Sequence, residues 1–417
     1  MDAYLILAFL LNFIFLYYAI FWILTYCEKK EKMAEVKEKR NYPKVSILIP
    51  AHNEEKFIAR AIDSCLNLNY PGEVEVIVID DGSTDRTAEI AREYEKKGLI
   101  RLLSKKQGGK ASALNYGLKF ARGEMISCLD ADSFYEKNAL LNLVSMMKPG
   151  VSAVVPIVKI LKPKSMLEKF QYLEYLMAAF FAKLFSFLNC IYVIPGPGSV
   201  YKKDLILEMD GFAEWSLTED MEIAMRMHKH AYKRESCLSA IVFTEAPPNF
   251  KAFFKQRLRW NTGFLDNLSI HRDLISPRYG NLGAFLLPFI LISISSAFLY
   301  LFAVFIRPIM NYIEGIYYLS KVGFDFWVFL RIDLILNLLS LNVLQLMSIT
   351  CLSTYMLLLF ACLNFFYGER WKKKVPLTLL FVSIYPILLS IISIFSVFNF
   401  FVIKYRRMKG QKGWRKS

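Results

Sequence analysis

Glu124-Met-Ile-Ser-Cys-Leu-Asp-Ala-Asp132 is the stretch on which the reading of this chain turns. Residues 125–129 are a short apolar run of the kind that lies within a parallel sheet, and it stops abruptly at two carboxylates, Asp130 and Asp132. In extended backbone, residues two apart project to the same side. Both carboxylates can therefore converge on one hard cation, Mg²⁺ or Mn²⁺, able to carry a diphosphate. A helix cap or a solvated turn uses the same Asp-x-Asp spacing, so the flanking sequence must decide.

Upstream lie three segments of the same make. Residues 45–49 form a β-rich run stopped by Pro50-Ala-His-Asn-Glu-Glu55; residues 74–79 end in Asp80-Asp-Gly-Ser-Thr-Asp85; a short strand near 100–103 precedes Gly108-Gly-Lys110. Helical spacing fills the gaps at 55–66, about 84–97 and 111–121. Strand and helix in alternation give a parallel, doubly wound α/β sheet with right-handed crossovers, and ligands of such sheets gather at the carboxyl ends of the strands. Asp80 and Asp81 can accept hydrogen bonds from a base or ribose, Gly82 permits the turn, and Ser83 and Thr84 can cap the next helix; a purely structural capping turn has the same composition. There is no Gly-x-Gly-x-x-Gly and no Walker lysine motif, so the dinucleotide and P-loop readings lack their signatures.

Downstream the material changes. Residues 165–193 are rich in Phe, Tyr and Leu but interrupted by Glu168, Lys169, Glu174 and Lys183, which suits an interfacial helix or a buried core helix. Pro195-Gly-Pro-Gly-Ser199 is a rigid turn at which backbone can approach a ligand closely. Leu217-Thr-Glu-Asp220 opens a helix over 221–229, where Asp220 is either a capping carboxylate or a general base. In Phe253-Phe-Lys-Gln-Arg-Leu-Arg-Trp260, Arg257 and Arg259 suit a diphosphate leaving group, and Trp260 offers a flat face to a sugar ring. A basic amphipathic helix resting on lipid headgroups has a similar composition.

At 417 residues, 55% of them hydrophobic, the chain has room for a water-soluble domain plus several membrane helices. Apolar stretches of spanning length lie at 3–26, 283–306, 334–366 and 375–402, and the first, lacking a basic leader and a cleavage site, reads as a retained anchor. The net charge of +15 would point to nucleic acid in a soluble protein, but Lys and Arg crowd beside the apolar segments, at 29–40, 370–374 and 404–416. That is the positive-inside pattern of a membrane protein, with no nucleic-acid partner. Seven cysteines without a Cys-x-x-Cys pair and only four His argue against a disulfide framework and against zinc. Four full spans would leave the basic tail outside. Pro376 and Pro386 are therefore expected to divide 375–402, its first part interfacial or re-entrant; an extra span at 324–340 would carry Arg331 and Asp333 into lipid. The resulting layout is a helix at 1–27, a charged connector at 28–44, a catalytic domain at 45–248, an interfacial region at 249–281, membrane helices at 282–403 and a basic cytoplasmic tail at 404–417.

In order, Asp80-Asp-Gly, Asp130-Ala-Asp132, Thr218-Glu-Asp220 and Gln256-Arg-Leu-Arg-Trp260 resemble the signature of membrane-integrated glycosyltransferases of family 2: cellulose, hyaluronan and above all bacterial poly-N-acetylglucosamine synthases. The similarity runs from about 45 to 272 and continues loosely to Trp414-Arg-Lys416. It implies a GT-A type α/β fold, a doubly wound and mostly parallel sheet on the cytoplasmic side, with interfacial helices and an α-helical transmembrane region in a multi-pass protein of the cell membrane. It implies an inverting transfer from a UDP-sugar to a growing β-linked polysaccharide that is secreted through the helices, or alternatively of one sugar to a lipid acceptor of ceramide or polyprenyl phosphate type. On the resemblance, Asp81 with Pro50, Ala51 and Glu54 would hold the uridine, and Lys110 would approach the base or phosphate. Asp132 with Asp130 would bind Mg²⁺ or Mn²⁺, and Asp220 would be the base, with Glu219 beside it at the substrate. Gln256, Arg257 and Arg259 would clamp the diphosphate, and Trp260 would stack on the acceptor terminus. A single anchor before the domain and no cyclic-di-nucleotide domain after it depart from the cellulose synthase pattern and imply a short synthase or one with a small membrane partner subunit.

Overall fold

The computed structural model of the chain describes residues 3–34, 41–301, 310, 313–315, 317 and 343–408. Connector residues 35–40, the first part of the expected span at 334–366, the alternative span at 324–340 and tail residues 409–417 lie outside the described residues. The chain divides into two compact units, Met1–Lys30 with Ile290–Ile394, and Glu31–Phe289 with Phe395–Ser417.

Helix α1 (Ala3–Lys29) precedes the larger unit. That unit is built from β1 (Val45–Ala51), α2 (Ile58–Leu66), β2 (Val74–Asp80), α3 (Thr87–Lys96), β3 (Arg101–Ser104), α4 (Lys110–Leu118), β4 (Met125–Cys128), β5 (Ser133–Tyr135), α5 (Ala139–Ser145), β6 (Val151–Ile160), α6 (Met166–Phe187), β7 (Val200–Lys202), α7 (Lys203–Glu208), α8 (Glu219–Lys229), β8 (Lys233–Thr244) and α9 (Phe250–Ile270). One eight-stranded sheet runs in the order β3-β2-β1-β4-β7-β6-β8-β5. The first four strands are mutually parallel, as the alternation requires. Beyond them β7 is antiparallel to both neighbours, β8 runs parallel to β6, and β5 closes the edge antiparallel.

Alternation within each strand sets the two faces. Ile47, Ile49, Val76 and Val78 pack with Ile58, Ile62 and Cys65 of α2 and with α5 on one side. Leu48, Ile77 and Ile79 pack with Leu114 and Leu118 of α4 and with Ile223 and Met227 of α8 on the other. Strands covered on both faces need side chains that are apolar at most positions, which is why residues 45–49 and 74–79 read as near-continuous runs, broken by Ser46 and Glu75, which bond to each other across the sheet. Helix α6 lays Phe170, Leu173, Leu176, Phe180 and Leu184 inward and packs on β6 and β8, so this face of the expected interfacial helix is core.

In the smaller unit, α1 packs along α11 (Val343–Tyr367), where Ser348 and Cys351 bond to Asn12. Among the described residues, three helices are long and apolar enough to cross a membrane, Ile6–Lys32, Ser348–Arg370 and Lys372–Arg407; the apolar helix at Leu282–Ser296, which runs into α10 (Leu287–Leu301), is shorter. The last, α12 (Val375–Met408), is continuous through Pro386. This corrects the expected break: Pro376 lies in the first turn, where backbone N–H groups have no intrahelical partner anyway, and Pro386 forfeits one bond in a long apolar helix whose other backbone groups stay satisfied.

Candidate active site

Register places the site. Ala51 stands opposite Asp80, and Leu48 opposite Cys128, so the segments that follow β1, β2 and β4 leave the sheet side by side at its carboxyl edge. The strand order reverses between β1 and β4, which is where an open α/β sheet forms its crevice. A cleft of about 260 Å³ lies there. Pro50, Ala51, Glu54, Asp81, Lys110, Asp130 and Asp132 line it together, as the sequence led us to expect, with His52, Gln107 and Gly109, which it did not.

Asp81 is buried, and its carboxylate is already engaged: Oδ1 accepts from Lys105 Nζ at 2.7 Å and from the Gly108 amide at 2.8 Å, and Oδ2 accepts from the Gly109 amide at 2.6 Å. It therefore shapes the loop that starts α4 while facing the cleft. Asp80 has a local role, accepting from the Ser83 amide at 3.0 Å to close its own turn. The Nδ1 of His52 lies 3.0 Å from the Asp81 carbonyl oxygen, which can only accept, so the proton sits on Nδ1 and Nε2 is an acceptor, 3.1 Å from Gln107 Nε2.

Lys110, the first residue of α4, is the electrostatic centre. Its Nζ lies 2.5 Å from Asp130 Oδ1 and 3.1 Å from Glu219 Oε1. Burial works against its charge, but Asp130, Glu219 and Asp220 outweigh burial and hold its pKa above the ordinary lysine range. Glu219 gains in return: burial opposes its ionisation, yet Lys110 and then Arg259 bring it below the usual carboxylate range. The other acids are under-compensated. Burial, then the charges of Asp132 and Asp130, push Glu54 up to about 7; burial, then Asp130, push Asp132 up to about 6. Gly196 explains the Pro-Gly-Pro-Gly turn, because a Cβ there would lie 2.5 Å from Lys110 Nζ.

Glu219 and Asp220 open α8, where the helix dipole favours negative charge. Burial, then the neighbouring Glu219, push Asp220 up to about 6, although Lys110 and Arg259 pull the other way. Asp220 joins the cleft through this charge network; the cleft wall itself ends at Lys110 and Asp130.

The Gln256–Trp260 stretch lies on α9 and splits its tasks. Arg257 is buried, pairs with Glu174 of α6, donates to Gln256 Oε1, and sits 4.2 Å from the Trp260 ring and 4.9 Å from that of Phe253. Its guanidinium binds α9 to α6, an arrangement that spacing could not distinguish from a diphosphate clamp. Arg259 is exposed and acts on Glu219 and Asp220. Trp260 lies against Tyr175, with ring centroids 6.4 Å apart, and Tyr175 is in turn near enough to Asp132 to feel its charge. Trp260 and Arg257 thus border the site by way of Tyr175.

A divalent cation fits this donor set in one respect. After burial, neighbouring carboxylates raise both Glu54 and Asp132, Asp130 acting on each and Asp132 on Glu54, and a cation between Asp130 and Asp132 would relieve that repulsion. Among the described residues no cluster of three His, Cys, Asp or Glu forms a ready-made cage, so such a cation would need further oxygen ligands beyond these two carboxylates.

Residues 46–209 match the Glycosyl transferase family 2 profile. A beta-monoglucosyldiacylglycerol synthase from Nostoc is 32% identical over 240 residues, 56% of this chain and 51% of that protein. A poly-beta-1,6-N-acetyl-D-glucosamine synthase from Staphylococcus epidermidis is 31% identical over 223 residues, 52% and 54% of the two chains. The chain thus spans about half the length of the curated relatives it matches. A mannosyltransferase from Pyrobaculum calidifontis, solved in complex with GDP-Man and Mn²⁺, superposes with a TM-score of 0.52 over 85% of this chain and 96% of its own, at 18% identity, which shows a shared fold. Residues 46–209 are thus similar to the glycosyl transferase family 2 domain, and the sheet they help to build has the fold of GT-A glycosyltransferases.

Proposed function

We propose that the protein is an inverting, membrane-bound glycosyltransferase that moves a sugar from a UDP-sugar to a growing β-linked polysaccharide. The observation that carries this reading is Lys110, whose ammonium joins Asp130 of the Asp-Ala-Asp pair to Glu219 beside Asp220. One cation thus links the group that would face a diphosphate to the group that would take a proton.

In this mechanism Pro50, Ala51, Glu54 and Asp81 receive the nucleoside, and Lys110 meets the first phosphate. Mg²⁺ or Mn²⁺ held by Asp132 and Asp130 would supply positive charge to the diphosphate as it departs. Asp220, ionised above about pH 6, takes the proton of the acceptor hydroxyl as its oxygen bonds to the anomeric carbon and the bond from that carbon to UDP breaks on the opposite side. Because one displacement suffices, no covalent enzyme intermediate is needed. Arg259 stabilises the charge on the leaving group, Gln256 and Arg257 fix the helix that carries it, and Trp260 supports the acceptor sugar. The spanning-length helices and flanking basic residues support a multi-pass membrane location with the domain on the cytoplasmic side, surrounded by lipids and open to a small partner subunit.

A second reading has the Nostoc glycolipid synthase behind it: transfer of a single sugar to a lipid acceptor. Purified protein supplied with UDP-sugars and Mn²⁺ tests both. Release of UDP that is lost in Asp220→Asn is expected, with label in long products; label confined to a monoglycosyl lipid would favour the second reading, and full UDP release by Asp220→Asn would remove Asp220 as base.

A further inference from the structure

Loop 215–218 delivers Glu219 and Asp220 to the site, yet its own sequence is Trp-Ser-Leu-Thr, with nothing rigid in it. The C-terminal half of α9, beyond Arg257 and Trp260, holds it. Asn267, fully buried, donates through Nδ2 to the Thr218 carbonyl at 3.1 Å and to Thr218 Oγ1 at 3.0 Å, and accepts from Ser216 Oγ at 2.8 Å. Gly263 lets the loop lie flat on the helix, since a Cβ there would stand 2.5 Å from Thr218 Oγ1.

The adjoining residue, Asp266, is buried and meets a partner far away in sequence. Both of its oxygens accept from Arg407 near the end of α12, Nη1 to Oδ1 at 2.7 Å and Nη2 to Oδ2 at 2.8 Å. The same Nη2 lies 3.4 Å from the Trp215 carbonyl, and the guanidinium stands 5.9 Å from the Trp215 ring. About two turns earlier in α12, Asn399 donates to Thr262 Oγ1 at 3.2 Å. Two parallel bonds between a guanidinium and a carboxylate define an orientation as well as a distance, which a lysine would not.

We infer that Asp266 and Arg407 are a positioning pair for the transfer, tying the end of α12 to α9 and to the Trp215 carbonyl so that the loop presents Glu219 and Asp220 in one fixed place. This rests on the transferase reading above. Neither residue touches substrate; they act through Trp215, Asn267 and Thr218. The basic end of α12 is thereby part of the site's support as well as a flank of an apolar segment.

The test uses the full-length protein in detergent with Arg407→Gln, Arg407→Lys, Asp266→Asn and the exchanged pair Asp266→Arg/Arg407→Asp. Two readouts are taken: amide hydrogen exchange over residues 215–220, and kcat and KM for UDP release. Expected are faster exchange at 215–220 and a fall in kcat of tenfold or more with donor KM within twofold in the single variants, a smaller effect in Arg407→Lys, and partial recovery in the exchanged pair. Unchanged exchange in Arg407→Gln overturns the pair as a restraint on the loop, and faster exchange with unchanged kcat overturns its positioning role. Should a single variant fail to fold, Arg407→Lys, which keeps the charge, decides by the same two criteria. A wild-type protein that releases no UDP would sink the transferase reading, while the exchange measurement would still decide whether the pair holds the loop.

Discussion

Lys110→Met removes one charge from the centre of the site while keeping most of the side chain's length. In the native protein its Nζ stands 2.5 Å from Asp130 and 3.1 Å from Glu219. At an effective dielectric of ~20, a unit pair at about 3 Å interacts by about 5 kcal/mol. The side chain is 28% exposed, and removing it also removes its own desolvation cost, so the net loss falls below the 3–5 kcal/mol typical of a broken buried pair, at about 2–3 kcal/mol. The loss must depend on pH. Without the ammonium, burial is offset less at Glu219 and Asp220, so both acids are held above the ordinary carboxylate range. Acids raised in this way stabilise the fold at low pH and lose that contribution as pH rises through the folded pKa. The deficit should therefore be small at pH 5 and full at pH 8. A thermal melt in detergent should show a midpoint lowered by roughly 5–10 °C at pH 8 and by no more than about 2 °C at pH 5, with UDP release down by about 100-fold or more. An equal deficit at both pH values would mean that Lys110 matters by packing alone, and a larger one at pH 5 would refute the charge argument outright.

Other consequences are independent of that one. Because Asp220 sits at about 6, UDP release should fall tenfold per pH unit below about 6, and a profile flat down to pH 5 would contradict the assignment of the base. The raised pKa values of Glu54, Asp132 and Asp220 stabilise the fold below about pH 4 and cost it stability as pH rises through 6 to 7, so Mn²⁺ with UDP should raise the melting midpoint more at pH 8 than at pH 5. In Asp132→Asn that pH-dependent gain should vanish; its persistence would place the cation elsewhere. Arg257→Ala should lower stability by about 3 kcal/mol by stranding Glu174 and emptying the aromatic cage, whereas Arg259→Ala should leave the melt unchanged and lower kcat, and the reverse pattern would exchange their roles.

Much of this was legible in the sequence, and the reason lies in local rules. The parallel core strands are apolar at most positions because both faces are covered, and polar, mostly acidic residues follow each at the crevice, so Val45–Ala51, Val74–Asp80 and Met125–Cys128 announce themselves and the cleft with them. The second half of the sheet did not. Val151–Ile160 and Lys233–Thr244 pair in parallel with β7 inserted as an antiparallel neighbour, and nothing in a short strand's composition states which strand it will lie against. His52 and Gln107 were missed for a similar reason: each is an ordinary polar loop residue until the fold sets them 3.1 Å apart.

The sequence by itself determined the four parallel strands β1 to β4, the helices between them and the apolar stretches, and which carboxylates would stand at those strand ends, since these follow from patterns a few residues long. Only the tertiary structure decided partnership: that Lys110 serves Asp130 and Glu219 at once, that Arg257 faces Glu174 and Trp260 while Arg259 faces the acids, and that Arg407 reaches Asp266. Charge acts through space over a few ångströms, and two residues 141 positions apart come within that range only when the chain is folded.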